Sequence, residues 1–404
     1  MGCGWRQAAA SSSRRTPPGL QSHILTYNMS ISIVSVFKRE PAVTSETNRP
    51  YIFHAFDVSY FSAKVRPALR YKRLWFEEVH ADYVLIRQRT GNTFIPMLLT
   101  PDDDAWQDST DIYDRLEARH PDPPLFPMTP VQRIAAHLVE LYVDEFALIP
   151  AMHYRWASEL GEASARARFI AMVGSEKIGT AAAKRMADAR IILGARDENA
   201  TAIEAHTRDL LDALCTHFEA HPFLLGQRMS FADCALMGPV DGHFFTDLVS
   251  RRLLLETARP VVGWIERCNH PNASNQGDWL PEDALAPTFR EALGVMGRDA
   301  APALVEGLHV FEDWADTAPR DGEPLPRMVG GIETRLRGQP LERYAGSYAP
   351  WLTQRVLDDY GSLDDETRDR VDESLAGTGW DVVLAHTPRH RLMKRGFDLV
   401  FADE

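Results

Sequence analysis

Cysteine is scarce. The four in this 404-residue chain, Cys3, Cys215, Cys234 and Cys268, show no close spacing, which excludes a disulfide framework and a thiolate metal site. That usage fits a reducing cytoplasm. Long apolar runs are absent too: no stretch approaches the ~18 residues that span a bilayer, so the chain reads as soluble, without a membrane partner. Positive charge is in short supply. The formal net charge is −13, and basic pairs such as Arg14-Arg15, Arg251-Arg252 and Lys394-Arg395 never grow into a run, which argues against nucleic acid as a partner. Acidic residues are missing before Glu40, and residues 1–48 carry no periodicity. They are expected to form a disordered leader, either an Arg- and Ser-rich transit segment or a stretch upstream of a true translation start at Met29, the second being preferred.

What is present is the composition of an ordinary globular protein, 45% apolar and 25% charged, long enough for two or three domains. The most informative stretch is Tyr51 to Arg66. Tyr51 to Phe56 is apolar on both alternating faces, the pattern of a strand central in its sheet. After Asp57, Ser59-Tyr60-Phe61-Ser62 places two hydroxyls where a helix leaves its first N–H groups unpaired and its dipole is positive. An anion or thiolate is stabilised at such a junction. Ser59 equally suits a plain N-cap, and Ser62 is the competing hydroxyl.

The pattern continues as a helix over about Tyr60 to Tyr71, kinked at Pro67, and a strand over about Phe76 to Val84, a right-handed parallel unit. An apolar strand, Phe94 to Leu99, opens on Pro96; Pro101-Asp102-Asp103-Asp104 reads as a solvated turn rather than a metal site. A helix follows from Asp108-Ser109 to His120. Pro121, Pro123, Pro124, Pro127 and Pro130 then forbid regular structure and mark a linker. Beyond it the periodicity is helical: Ile134, Leu138, Leu141, Phe146 and Ile149 line one face, and Ile203, Leu210, Leu211, Leu214 and Phe218 another. Ser230 to Asp233 forms a capping box ahead of an apolar run. Residues 281–404 read as two helical stretches over about Pro287 to Trp314, a Pro/Gly-rich connector, a helix over about Trp351 to Tyr360 and a basic tail. His386 and His390 flank Pro388, so they cannot share a helix face as metal ligands.

Four of these features together resemble a cytosolic glutathione S-transferase of the serine type. They are Ser59 to Arg66, Phe94-Ile95-Pro96-Met97, Asp108-Ser109 and the capping box Ser230 to Asp233, covering about residues 51–270. The resemblance implies an α/β thioredoxin-like N-terminal domain (49–121), a linker (122–130), an all-α helical-bundle C-terminal domain (131–280) and, outside the family pattern, a mainly helical extension (281–404). It implies that glutathione is the co-substrate, with no metal. Ser59 would then hydrogen-bond the glutathione thiolate. Ile95, before a cis-Pro96, would pair with the cysteinyl backbone. Asp108 or its dimer neighbourhood would take the γ-glutamyl ammonium, and Ser109 with helix N–H groups the carboxylate. Arg87, Gln88 and Arg89 are the candidates for the glycyl carboxylate.

Tyr60 and Phe61, with His153, Tyr154 and Trp156, are the candidate lining for an apolar electrophile, the last three also suiting plain core. The absence of cysteine at 59 and 62 disfavours thiol-exchange chemistry, and Arg89 to Phe94 lacks the lysine that the family more often places there. The resemblance further implies a homodimer in the cytoplasm acting in detoxification. The alternative is a non-catalytic relative that binds or scaffolds. For the extension two placements are open: packing on the helical domain, or covering the mouth of the site.

Overall fold

The structure is a computed structural model that describes residues 49–272 and 276–402. The expected leader lies outside the described residues.

The chain enters at β1 (Tyr51–Ala55), whose Phe53 and His54 are both buried, as a central strand requires. Ser59 caps α1 (Tyr60–Tyr71), accepting the Ser62 N–H on its Oγ, and the helix runs on through Pro67. β2 (Phe76–His80) lies parallel to β1. The strand stops there rather than at Val84, because the Asp82 carboxylate accepts the N–H groups of Val84 and Leu85 and starts α2 (Tyr83–Thr90). Gly91, at φ 79°, ends that helix in the left-handed conformation. β3 (Met97–Leu99) and β4 (Ala105–Gln107) complete a sheet of order β2-β1-β3-β4, with α3 (Ser109–Arg119) following. This is a thioredoxin-like sheet-and-helix body.

The proline segment is held in place from outside. Lys72, its side chain buried, donates to the carbonyls of His120 (2.6 Å) and Pro123 (2.8 Å) and pairs with Glu117. Helices then follow: α4 (Pro130–Glu145), α5 (Leu148–Trp156), α6 (Glu159–Val173), α7 (Glu176–Leu193), α8 (Ala200–Ala220), α9 (Phe231–Pro239), a π-helical turn (Val240–Phe245), α10 (Leu248–Thr257) and α11 (Arg259–Asn269). The face expected to run from Ile134 to Ile149 is divided: α4 ends at Glu145, and Ile149 sits on α5. The capping box forms, with Asp233 accepting from the Ser230 N–H and Oγ at 2.9 Å each.

The segment from Pro287 onward is a further helical region with strands the sequence reading did not anticipate. α12 (Pro287–Ala315) is one continuous helix where two were expected. It lies along α8 and α4. The hairpin β5 (Gly330–Leu336) and β6 (Gln339–Ala345) turns on Arg337-Gly338, both at positive φ, the geometry of a two-residue hairpin loop. α13 (Tyr348–Gly361) and α14 (Asp365–Leu375) pack on α4, and α15 (Asp381–Leu384) on α12. The expected basic tail is a second hairpin, β7 (Leu392–Arg395) and β8 (Asp398–Phe401), turning at Gly396. His386 and His390 bind carboxylates instead of meeting each other, His386 on Glu312 (3.0 Å) and His390 on Asp316 (2.8 Å).

Among the described residues no helix is long and apolar enough to cross a membrane. Nor do three or more His, Cys, Asp or Glu side chains there gather to hold a metal ion.

Candidate functional site

Strand register brings the three sequence features of the α/β body to one end of its sheet. β1 and β3 pair antiparallel with His54 opposite Met97, and β3 and β4 pair with Met97 opposite Gln107. The residues next along the chain from those pairs are Ala55, Pro96 and Asp108. The loop carrying Ser59, the Ile95-Pro96 bond and the start of α3 therefore share one edge. The Ile95-Pro96 bond is cis. The loop ahead of it is tied down: the Gln107 amide donates to the Phe94 carbonyl (2.7 Å) and accepts from the Asn92 side chain (2.7 Å).

Ser59 is partly exposed at the N-terminus of α1. As a cap its oxygen accepts one N–H, which leaves its own O–H proton available to an acceptor. Ser62 is buried, and its Oγ has no partner. The position of Ser59 is fixed from the helical side. Buried Arg155 donates to the Val58 carbonyl (3.1 Å) and the Gly242 carbonyl (3.0 Å) while pairing with Asp247 (2.6 Å). A Cβ on Gly242 would stand 3.3 Å from the Ser59 carbonyl and 2.9 Å from the Ala63 Cβ, so glycine is what lets the π-helical turn approach α1. Nothing in the sequence pattern pointed to Arg155 or Gly242, because their contacts with the Ser59 loop and α1 join segments far apart in the chain.

Asp108 adopts φ 77°, ψ 126°, a strained conformation for a residue other than glycine and one that recurs at ligand-binding positions. Its Oδ1 accepts the Thr110 N–H (2.9 Å) and the Tyr348 hydroxyl (2.8 Å), while Lys394 contacts Oδ2 at 2.9 Å and Asp111 at 2.8 Å. Burial by itself would raise the Asp108 carboxyl. Lys394 and Tyr348 outweigh it and hold the group below its ordinary range. For Asp111 burial prevails over the same lysine, and the carboxyl is raised. Ser109, buried, opens α3. The buried network continues inward, Thr110 Oγ1 donating to Glu140 (2.8 Å) and the Lys64 ammonium to both oxygens of Asp144 (2.6 and 2.7 Å).

The glycyl candidates lie on α2. Arg87 and Gln88 are exposed, and Arg89 is committed to Asp103 in the β3–β4 turn (3.0 Å). The aromatic candidates are not gathered around one opening. Tyr60 is buried, donating to the Val143 carbonyl (2.7 Å), with half-buried Phe61 against its ring. His153 meets Glu204 of α8 (3.3 Å), Tyr154 meets Phe244, and Trp156 packs on Phe169 of α6. A small apolar cavity exists elsewhere, between Tyr142, Pro150, Leu210, Leu214, Leu236 and Phe244, and none of the five candidates lines it. His153 and Trp156 are thus core side chains, as aromatics at helical spacing usually are.

One buried acid beside this region titrates in the neutral range. Burial pushes the Glu145 carboxyl up to about 8, against the pull of Arg343. The native state holds that proton more tightly than the unfolded chain, whose carboxyl titrates near 4.5. The group is neutral to folding below that pH and turns against it as pH rises towards about 8. Glu145→Gln is therefore expected to match the parent in urea unfolding near pH 4 and to exceed it by on the order of 2–4 kcal/mol at pH 9.

Two family models match the chain in order, the glutathione S-transferase N-terminal domain over residues 53–124 and the glutathione S-transferase C-terminal domain over residues 177–272. Residues 53–124 and 177–272 are thus similar to the two domains of a glutathione S-transferase. Both transferase matches end before α12, so the region carrying Tyr348 and Lys394 lies beyond them. Similar solved structures include a glutathione S-transferase from Rhodospirillum rubrum, 18% identical over 60% of this chain and 91% of that one, with a TM-score of 0.38. Another, from Methylobacterium radiotolerans in complex with glutathione sulfonate, is 21% identical over 60% and 93%, with a TM-score of 0.31. A rice glutathione S-transferase in complex with glutathione is 22% identical over 55% and 88%, with a TM-score of 0.35. A comparison with curated proteins found no match.

Proposed function

We propose that this transferase-like chain binds glutathione along the sheet edge and uses Ser59 to hold its sulfur as a thiolate, which attacks an apolar electrophile. The observation that carries this reading is the convergence of Ser59, cis Ile95-Pro96 and Asp108-Ser109 at one end of the sheet. The Ile95 backbone would pair with the cysteinyl unit as an added strand. Ser109 and the first N–H groups of α3 would hold the γ-glutamyl carboxylate, and Asp108 the ammonium. The Ser59 O–H and the positive end of α1 then face the sulfur. In the reaction the thiol proton leaves to solvent, the sulfur lone pair forms the new S–C bond, and the electrophile expels its leaving group or accepts the electron pair. Tyr60 and Phe61, on the first turn of α1, are the nearest aromatics to that sulfur along the chain. A cytoplasmic homodimer acting in detoxification belongs to the same proposal.

Ser59→Ala is expected to keep glutathione binding but return the bound thiol towards ~8.5. If Ser59 supplies about two units of acidification, the thiolate fraction at pH 7 and turnover of an aryl halide both fall roughly 25-fold. Unchanged turnover and an unchanged thiol titration would remove Ser59 from the mechanism. The second reading, a binding protein without catalysis, is favoured by a separate observation: Asp108 already holds an ammonium supplied by the chain itself.

A further inference from the structure

We propose that the β7–β8 hairpin is a tethered occupant of the γ-glutamyl end of the groove: Lys394 places its ammonium on Asp108 and Asp111 where a ligand's ammonium would sit, so ligand enters only as the hairpin tip withdraws. The inference rests on the roles given to Asp108 and Ser109 under the proposed function.

Three contacts place the region beyond Pro287 over the sheet edge. The first is electrostatic. Asp108 is saturated by groups of its own chain, with the Thr110 N–H, the Tyr348 hydroxyl and Lys394 all within 2.9 Å. An incoming ammonium must displace Lys394 or stand beside a like charge. Secondly, Phe397, next to the hairpin turn, packs on the cluster of Ile86, Met97 and Ala105 that Ile95 also joins. Thirdly, the Arg327 guanidinium stacks 3.4 Å from the centre of the Phe94 ring, over the residue that leads into the cis bond. Two adjoining parts of the proposed ligand path, the ammonium site and the cysteinyl strand, are thus both contacted by residues that follow α12.

The hairpin is held at its base and aimed at its tip. Gln354 of α13 donates to the Leu392 carbonyl and accepts the Leu392 N–H, each at 2.9 Å, and Phe401 stacks on Trp314 of α12. Lys394 crosses the Trp351 ring at 4.2 Å on its way to Asp108. Between these anchors lies the turn Arg395-Gly396-Phe397, with Gly396 at φ 63°. Because it is tethered, the lysine competes at an effective concentration in the millimolar range. A tip docked ~99% of the time lowers the apparent affinity of a ligand about 100-fold.

The test is a calorimetric titration of glutathione into the full-length parent, Lys394→Met and Tyr348→Phe, with hydrogen exchange of residues 392–401 followed in the parent. Tyr348→Phe removes only a hydroxyl and guards against a Lys394 variant that folds poorly. The expected result is binding at least about tenfold tighter in Lys394→Met, a smaller gain in Tyr348→Phe, and faster exchange of the hairpin once glutathione is bound. Equal affinities, with the hairpin still protected in the bound state, would overturn the occupant role and leave glutathione binding intact. Failure of all three folded chains to bind millimolar glutathione overturns the glutathione reading itself, and the competitor role falls with it.

Discussion

Lys64→Met is expected to cost about 3–5 kcal/mol of folding stability, a large part of the ~5–15 kcal/mol available to a typical domain. Lys64 lies on α1 with a fully buried side chain, its ammonium on both oxygens of Asp144 and 3.6 Å from Glu140, both on α4. Those acids are buried as well. Methionine fills nearly the same volume, so packing is preserved and the loss comes from two buried carboxylates left without their cation. The deficit, read as a lower urea midpoint at unchanged slope, should narrow as the pH falls, because a buried carboxylate without its cation holds a proton more tightly than an exposed one. Lys64 also couples the two halves of the molecule, since Glu140 receives Thr110 at the start of α3. A loss below about 1 kcal/mol would mean that the pair merely offsets its own desolvation.

Asp233→Ala carries the second large effect. The wholly buried Asp233 carboxylate accepts from the Leu224 N–H (2.9 Å), the Trp264 Nε1–H (3.0 Å), and the Ser230 N–H and Oγ. Removing it strands donors on three separate segments, at ~1–3 kcal/mol for each buried group left unpaired. A total loss of at least about 3 kcal/mol is expected. Ser230→Ala should cost nearer ~1 kcal/mol, the ordinary value of a cap. Comparable losses for the two variants would show Asp233 to be a local cap and no more.

The difference between those two numbers marks what sequence could and could not reveal. Ser230 to Asp233 is visible as a capping box because its signal is four residues long. That the same carboxylate also clasps Trp264 and Leu224 is tertiary and leaves no local trace. The same holds at the candidate site. Ser59, Ile95-Pro96 and Asp108-Ser109 are legible because each sits at a helix start or a proline with its own local chemistry.

α2 was missed although Asp82 and Gly91 bracket it as cap and stop, since Phe76 to Val84 reads as one strand until Asp82 is taken as a cap. The electrophile lining stays open in the sequence for a different reason. A helix bearing His153, Tyr154 and Trp156 has several faces, and periodicity does not tell which neighbour each face meets. The least legible element is the occupant of Asp108. Lys394 lies 286 positions from it along the chain, in a segment read from sequence as a basic tail. Only the fold shows that its charge is spent on Asp108 and Asp111.

The proposed chemistry turns on acidification of the glutathione sulfur at Ser59. The direct measurement is the ultraviolet absorbance of the thiolate, recorded on the full-length protein saturated with glutathione, from about pH 5 to 9. The bound sulfur is expected to ionise about two units below the ~8.5 of an ordinary thiol. Glutathione that is bound by calorimetry yet titrates at the ordinary value would contradict it.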